Sequence, residues 1–221
     1  MARPKRSEQK ASVEAQLKQA LFDCILEKDF AETRVSDITD TVGCNRGTFY
    51  YYFKDLYELR DTVIDDNLPR DLPAMIFNIF LSQQDANQRP DYAVQPALLS
   101  PSDTESELFE NYMKEGILAN STKIDACALL LNSDIGDIVS KRIEGQAIEI
   151  WCSLLGLKEE ELDLNMRIIM EFLIGGLLKV LAFRAQTGIQ DDIFETLRPL
   201  TPEIPIALFS CLEKPFAMSP K

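Results

Sequence analysis

Apolar residues recur at three- and four-residue intervals from Ser12 to Lys28, where Val13, Leu17, Ala20, Leu21, Cys24 and Ile25 mark one face of an amphipathic helix. Ser12 is placed to cap it. A short connection through Asp29 and Phe30 leads to a brief helix whose stripe is Val35, Ile38 and Val42, ended by Gly43. Another brief helix begins near Asn45 and contains Thr48, Phe49, Tyr50 and Tyr51. Lys54 and Asp55 separate it from a longer helix through Leu56, Leu59, Val63 and Ile64, and Pro69 and Pro73 then break the pattern.

Past those prolines the pattern predicts a short helix over 74–84, a polar, proline-containing loop from about 85 to 102, and helices near 104–119, 122–132 and 134–156. The strongest apolar segment, Leu162 to Gln186, is apolar over much of its surface, and Pro202 to Lys214 adds a last apolar stretch. Nothing alternates with the period of a strand, so the whole chain reads as all-α. Gly175 and Gly176 inside the longest helix each cost about 1 kcal/mol relative to alanine, which calls for a reason. Close approach of a partner helix is one; a kink beside a ligand pocket is the other.

Charge changes the picture by its distribution. The chain carries a formal charge of -13, yet residues 1 to 60 hold ten Lys or Arg against ten Asp or Glu, so the acidic excess belongs wholly to the remainder. Arg3, Lys5, Arg6 and Lys10 make the first ten residues a basic arm leading into a neutral head. Five scattered cysteines, with no C-x-x-C pair and no histidine, supply neither a zinc site nor a disulfide framework and fit a reducing cytoplasm. No segment has the 18 or so apolar residues that span a bilayer, so no membrane partner is expected. Without histidine the commonest general base is missing, and no catalytic residue, metal or cofactor is expected.

The segment from Phe30 to Phe53 has the spacing of a helix-turn-helix. Gly43 suits the sharp turn, and Phe49 and Phe53, four residues apart, give the second short helix an inward face. The opposite face is left to meet DNA. Asn45 and Arg46 stand at the N-terminal end of that helix, the end recognition helices present to base edges, and Arg46 has the fork for a bidentate contact to guanine. Gly47 allows close backbone approach, and Thr48, Tyr50, Tyr51 and Tyr52 offer hydroxyls to phosphate. Lys54 adds a charge, and Ser36 sits near the start of the preceding helix, where amides bind phosphate.

Over about residues 12 to 64 this pattern resembles the TetR family of bacterial transcriptional regulators. The resemblance rests on Phe30, Thr33, Val35, Asp37, Ile38, Gly43, Gly47, Thr48, Phe49, Tyr50, Tyr52 and Phe53. A weaker likeness covers Phe172 to Leu181. Two positions depart from the family: Thr39 replaces a small alanine, and Leu56 stands where a lysine often contacts phosphate.

The resemblance implies a basic arm (1–11), a helix-turn-helix domain (12–68) and a C-terminal regulatory and dimerisation domain (69–221). It further implies a homodimer formed through about 162–186 and 202–214, reading double-stranded DNA at a palindromic operator. A small-molecule effector in the second domain would shift the spacing of the two heads and release repression. Two other readings stand beside it: a similar regulator controlled by a protein partner or by no ligand, and a helical-bundle enzyme suggested only by the number of carboxylates.

Overall fold

A computed structural model describes residues 6–70, 73 and 122–188, with side chains described from Ser12 onward. The elements expected over 74–84, 85–102, 104–119 and 202–214 lie outside the described residues, as do Arg3 and Lys5. Among the described residues every regular element is helical. They are α1 (Arg6–Glu27), a single 3-10 turn (Phe30–Glu32), α2 (Val35–Val42), α3 (Arg46–Tyr52) and α4 (Leu56–Asn67). The C-terminal region contributes α5 (122–131), α6 (Gly136–Leu155), a 3-10 turn (Glu159–Glu161) and α7 (Leu164–Thr187).

The expected face of α1 is the buried one, with Leu17, Ala20, Leu21 and Ile25 all in the core and Val13 and Cys24 packed at its edge. The helix starts earlier than its apolar stripe. It runs back to Arg6, so Ser12 is an exposed interior position and not the cap, and half of the expected arm is helical. Ser7 to Ala11 contain no glycine or proline, and Glu8, Gln9, Lys10 and Ala11 all favour helix, so propensity carries the helix back toward Pro4.

The second and third helices are short because their ends are fixed chemically. Gly43 closes α2 in the left-handed conformation (φ 72°), and Asn45 caps α3. Asp55 caps α4 by accepting the Glu58 N–H at 2.9 Å, and the helix ends at Asn67, ahead of Leu68 and Pro69. Ile38, Phe49, Phe53, Leu59, Val63 and Ile64 meet the buried face of α1 in one core that continues into the C-terminal region through Ile124, Cys127, Val139, Trp151 and Leu181.

In the second domain, Asp163 caps α7 by accepting the Met166 N–H at 2.8 Å, and Gly188 (φ 65°) ends it. Met166, Met170, Ile174, Leu178 and Leu181 make its buried stripe. A second apolar stripe faces outward: Leu164 (74% exposed), Ile168, Phe172 and Phe183, with Gly175 and Gly176 having only open space where a Cβ would stand. At 100° per residue these positions fall within one face of the helix.

Gly136 is required at the sharp corner between α5 and α6. A Cβ there would lie 2.4 Å from the backbone oxygen of Leu131, which has no side-chain freedom with which to yield. Gly145, exposed within α6, has nothing within 4 Å of its would-be Cβ. Gly136→Ala is therefore expected to destabilise the fold by about 1–3 kcal/mol through overpacking. Gly145→Ala should stabilise it by about 0.5–1 kcal/mol through helix propensity. Thermal unfolding of the two variants checks both, and equal shifts of the same sign would contradict this account of the corner.

Candidate nucleic-acid interface

The helix-turn-helix is assembled from its first cap. At the head of α2 the Arg34 backbone N–H donates to Asp37 Oδ2 at 3.0 Å, and Lys28 Nζ holds the same oxygen at 2.6 Å. The end of α1 is thereby tied to the start of α2. Past Gly43, the Cys44 N–H turns back to the carbonyl of Thr39 at 2.9 Å. Thr39 is buried, and its hydroxyl donates to the Ser36 carbonyl at 3.2 Å, which satisfies the polar group where a small alanine was expected. Asn45 Oδ1 then accepts the Thr48 N–H at 2.8 Å and opens α3.

Burial of Phe49 (0% exposed) and Phe53 (5%) sets the rotation of α3. Gly47, Tyr50 and Tyr51 consequently lie on the outward side, Tyr50 and Tyr51 at 57% and 65% exposure, with Arg46 exposed at the first turn. Thr48 is half-buried beside the cap. Tyr52 departs from its neighbours: it is half-buried against the core, its ring edge-on to Tyr51 with centroids 5.0 Å apart. Lys54 is exposed beyond the end of α3, where its backbone N–H donates to the Glu58 carboxylate. Ser36 is half-buried in the first turn of α2. Leu56 packs against the core, so the first position of α4 is spent on burial and not on charge.

Sequence reasoning did not find what holds this head to the second domain. The Phe30 N–H donates to Asp134 Oδ2 at 2.7 Å across 104 residues of chain. The Phe30 ring lies edge-on to Tyr57, and the Arg60 guanidinium stands 5.3 Å from the first ring and 5.2 Å from the second. From α6, Arg142 reaches Asp65 at 3.0 Å on α4. Asp134 shares its turn with Asn132, which donates to the Ala182 carbonyl at 2.8 Å and accepts from Gln186 at 2.6 Å, both on α7. The Trp151 indole donates to the Pro73 carbonyl at 2.8 Å. No local pattern announces such long-range pairs. The Asp37 pairing did have a signal, a carboxylate at the third position of a short helix.

Among the described residues no group of three or more His, Cys, Asp or Glu side chains is placed to hold a metal ion, and no helix is long and apolar enough to cross a membrane. Burial pushes the Cys127 thiol up to about 12, so it stays protonated and acts as packing.

The hydrogen bond from Lys28, and after it the Arg34 N–H, holds the Asp37 carboxyl below its ordinary range, while the same bond raises Lys28. A depressed carboxylate adds stability above its unfolded pKa of about 3.9 and loses it as pH falls through the lower folded value. A raised lysine adds stability below about 10.4 and loses it as pH rises through the higher folded value. Asp37→Asn is thus expected to flatten the dependence of unfolding on pH below about 4 and again above about 10. Melting temperatures recorded across pH check this, and acid and alkaline limbs identical to the parent's would show that the pair does not contribute.

Residues 19–62 match the family model described as bacterial regulatory proteins, tetR family. No curated protein matches the chain.

Proposed function

Since the chain belongs through residues 19–62 to the tetR family of bacterial regulatory proteins, and so is a DNA-binding transcriptional regulator, we propose that it is a homodimeric repressor of a palindromic operator, released by a small-molecule effector. The observation that carries the reading is the outward face of α3, where Arg46, Gly47, Tyr50 and Tyr51 are exposed on a helix whose inward face is locked by Phe49 and Phe53. Arg46 reads a base edge in the major groove. Thr48, Tyr50, Tyr51 and Tyr52 offer hydroxyls to phosphate, with Lys54 as a charge contact and Ser36 at the start of α2.

Dimerisation is supported by the outward stripe of α7. Leu164, Ile168, Phe172 and Phe183 expose apolar surface on a helix whose opposite side is already in the core, and the two glycines leave room for a second helix to approach. A second copy offers the same stripe in a two-fold arrangement. Release by an effector is supported by the grip of the second domain on the head. A ligand that favours one arrangement of α6 and α7 acts on Asp134 and Arg142, which hold Phe30 and α4, and thereby on the spacing of two recognition helices.

Sequencing selection on genomic fragments with the full chain tests the function. Enrichment of a two-fold symmetric site is expected, and recovery of fragments with no common sequence overturns it. In the same selection Arg46→Ala should relax preference at one base position per half-site by about 1–3 kcal/mol. A variant that kept every preference would place base reading elsewhere. Ile168→Glu combined with Phe172→Glu should shift the chain from dimer to monomer in sedimentation and weaken operator binding. Persistence of the dimer would exclude α7 from the interface.

A further inference from the structure

Asn45 stands where a recognition helix presents its first side chains to DNA, yet the oxygen of its amide is already engaged. Oδ1 accepts the Thr48 N–H at 2.8 Å and lies 3.3 Å from the Thr48 hydroxyl, which donates to it. A carbonyl oxygen has two lone pairs, so both acceptor positions are filled. Which end of the amide faces inward is fixed by chemistry, because a backbone N–H can only donate and therefore needs the oxygen. A bidentate amide contact to adenine requires that oxygen to accept from N6 while the nitrogen donates to N7. In the capped state Asn45 has only the donating half to give.

A second observation concerns Gly47. Although exposed within a helix, it has one close neighbour for a would-be Cβ beyond the adjoining residues and the helix's own backbone, Asn45 Oδ1 at 3.1 Å. That separation is tighter than ordinary van der Waals contact, and the atom pressed is the capping oxygen itself. Glycine, poor for helix propensity here, preserves the cap two residues upstream.

We infer that Asn45 is a positioning residue for DNA recognition and not a base reader: its carbonyl oxygen fixes the first turn of α3, Gly47 leaves it room, and sequence discrimination falls to Arg46, with the exposed tyrosines anchoring the helix to phosphate. The inference rests on the proposed role of α3 as the DNA-contacting helix. Arg46 is the residue directly after the cap, so loss of the cap frays the turn that aims its guanidinium.

The test is sequencing selection on randomised duplex DNA with the full-length parent, Asn45→Ala, Asn45→Ser, Gly47→Ala and Arg46→Ala, alongside thermal unfolding of each. Asn45→Ala should bind its site about fivefold or more weakly, the loss typical of a removed cap, and relax preference at the base position that Arg46→Ala relaxes. Asn45→Ser, whose hydroxyl caps equally well but has no amide, should restore both affinity and the parent's preference at every position. Gly47→Ala, which asks Oδ1 to give by a few tenths of an ångström, should weaken binding less than Asn45→Ala does, and combining the two should cost less than the sum of the single losses. Should Asn45→Ser abolish a preference, above all for adenine, that Arg46→Ala leaves intact, Asn45 reads a base and the inference fails. If Asn45→Ala does not fold, the serine variant still decides between the outcomes. Failure of the parent itself to select any sequence would be a different result, removing the DNA-binding role of α3 and this inference with it.

Discussion

Burial of Phe49 is the constraint on which the head depends. A seven-residue helix has too few hydrogen bonds to hold itself, since isolated helices need roughly 12–15 residues to be even marginal in water. Its stability comes from placing Phe49, and with it Phe53, into the core made by α1, α2 and α4. Once that ring is inside, the helical period leaves Gly47 and Tyr51 pointing out, with Tyr50 beside them. The left-handed turn at Gly43 and the cap at Asn45 then fix where the helix begins, so rotation and register are set by different groups.

The head is joined to the C-terminal region by polar contacts as well as by shared core. Trp151, Cys127 and Leu181 belong to the same apolar cluster as Leu17 and Phe49. Asp134 and Arg142 add directional bonds to the 3-10 turn and to α4. Apolar contact resists separation but tolerates sliding, whereas a 2.7 Å hydrogen bond to one backbone N–H defines position. The turn that carries Asp134 is itself tied to α7 through Asn132. Displacement of α7 is thereby linked to the segment that precedes α2 by a short series of bonds.

Much of this was legible in the sequence because the deciding signals were local. Gly43 and the Phe49–Phe53 pair mark the ends and inward face of the two short helices, and the three- and four-residue spacing of apolar positions marks the buried face of α1. The start of α1 was missed since propensity alone, without an apolar stripe, extends it to Arg6. The sequence places Asn45 beside Arg46 at the end of the helix that meets base edges, but whether such a group caps or reads depends on where its oxygen points, which composition does not reveal. In the sequence the two stripes of α7 read as one apolar helix, because only tertiary packing separates the buried Met170 and Leu178 from the exposed Ile168 and Phe172. Asp134 and Arg142 lie so far along the chain from their partners that no periodic pattern connects them.

Electrostatics explains why the proposed two-fold arrangement would matter to a head of this composition. Residues 1 to 60 are neutral overall, and the rest of the chain holds the full charge of -13, so at long range the molecule and a DNA duplex repel each other. At physiological ionic strength charges beyond about 8 Å are largely screened, and attraction is left to groups that come within that distance of phosphate. A single head with Arg46, Lys54 and hydroxyl donors has few such groups and only weak counterion release to draw on. In the proposed dimer, two heads held at a fixed separation would convert the second contact into an intramolecular one, multiplying affinity without a further positive charge.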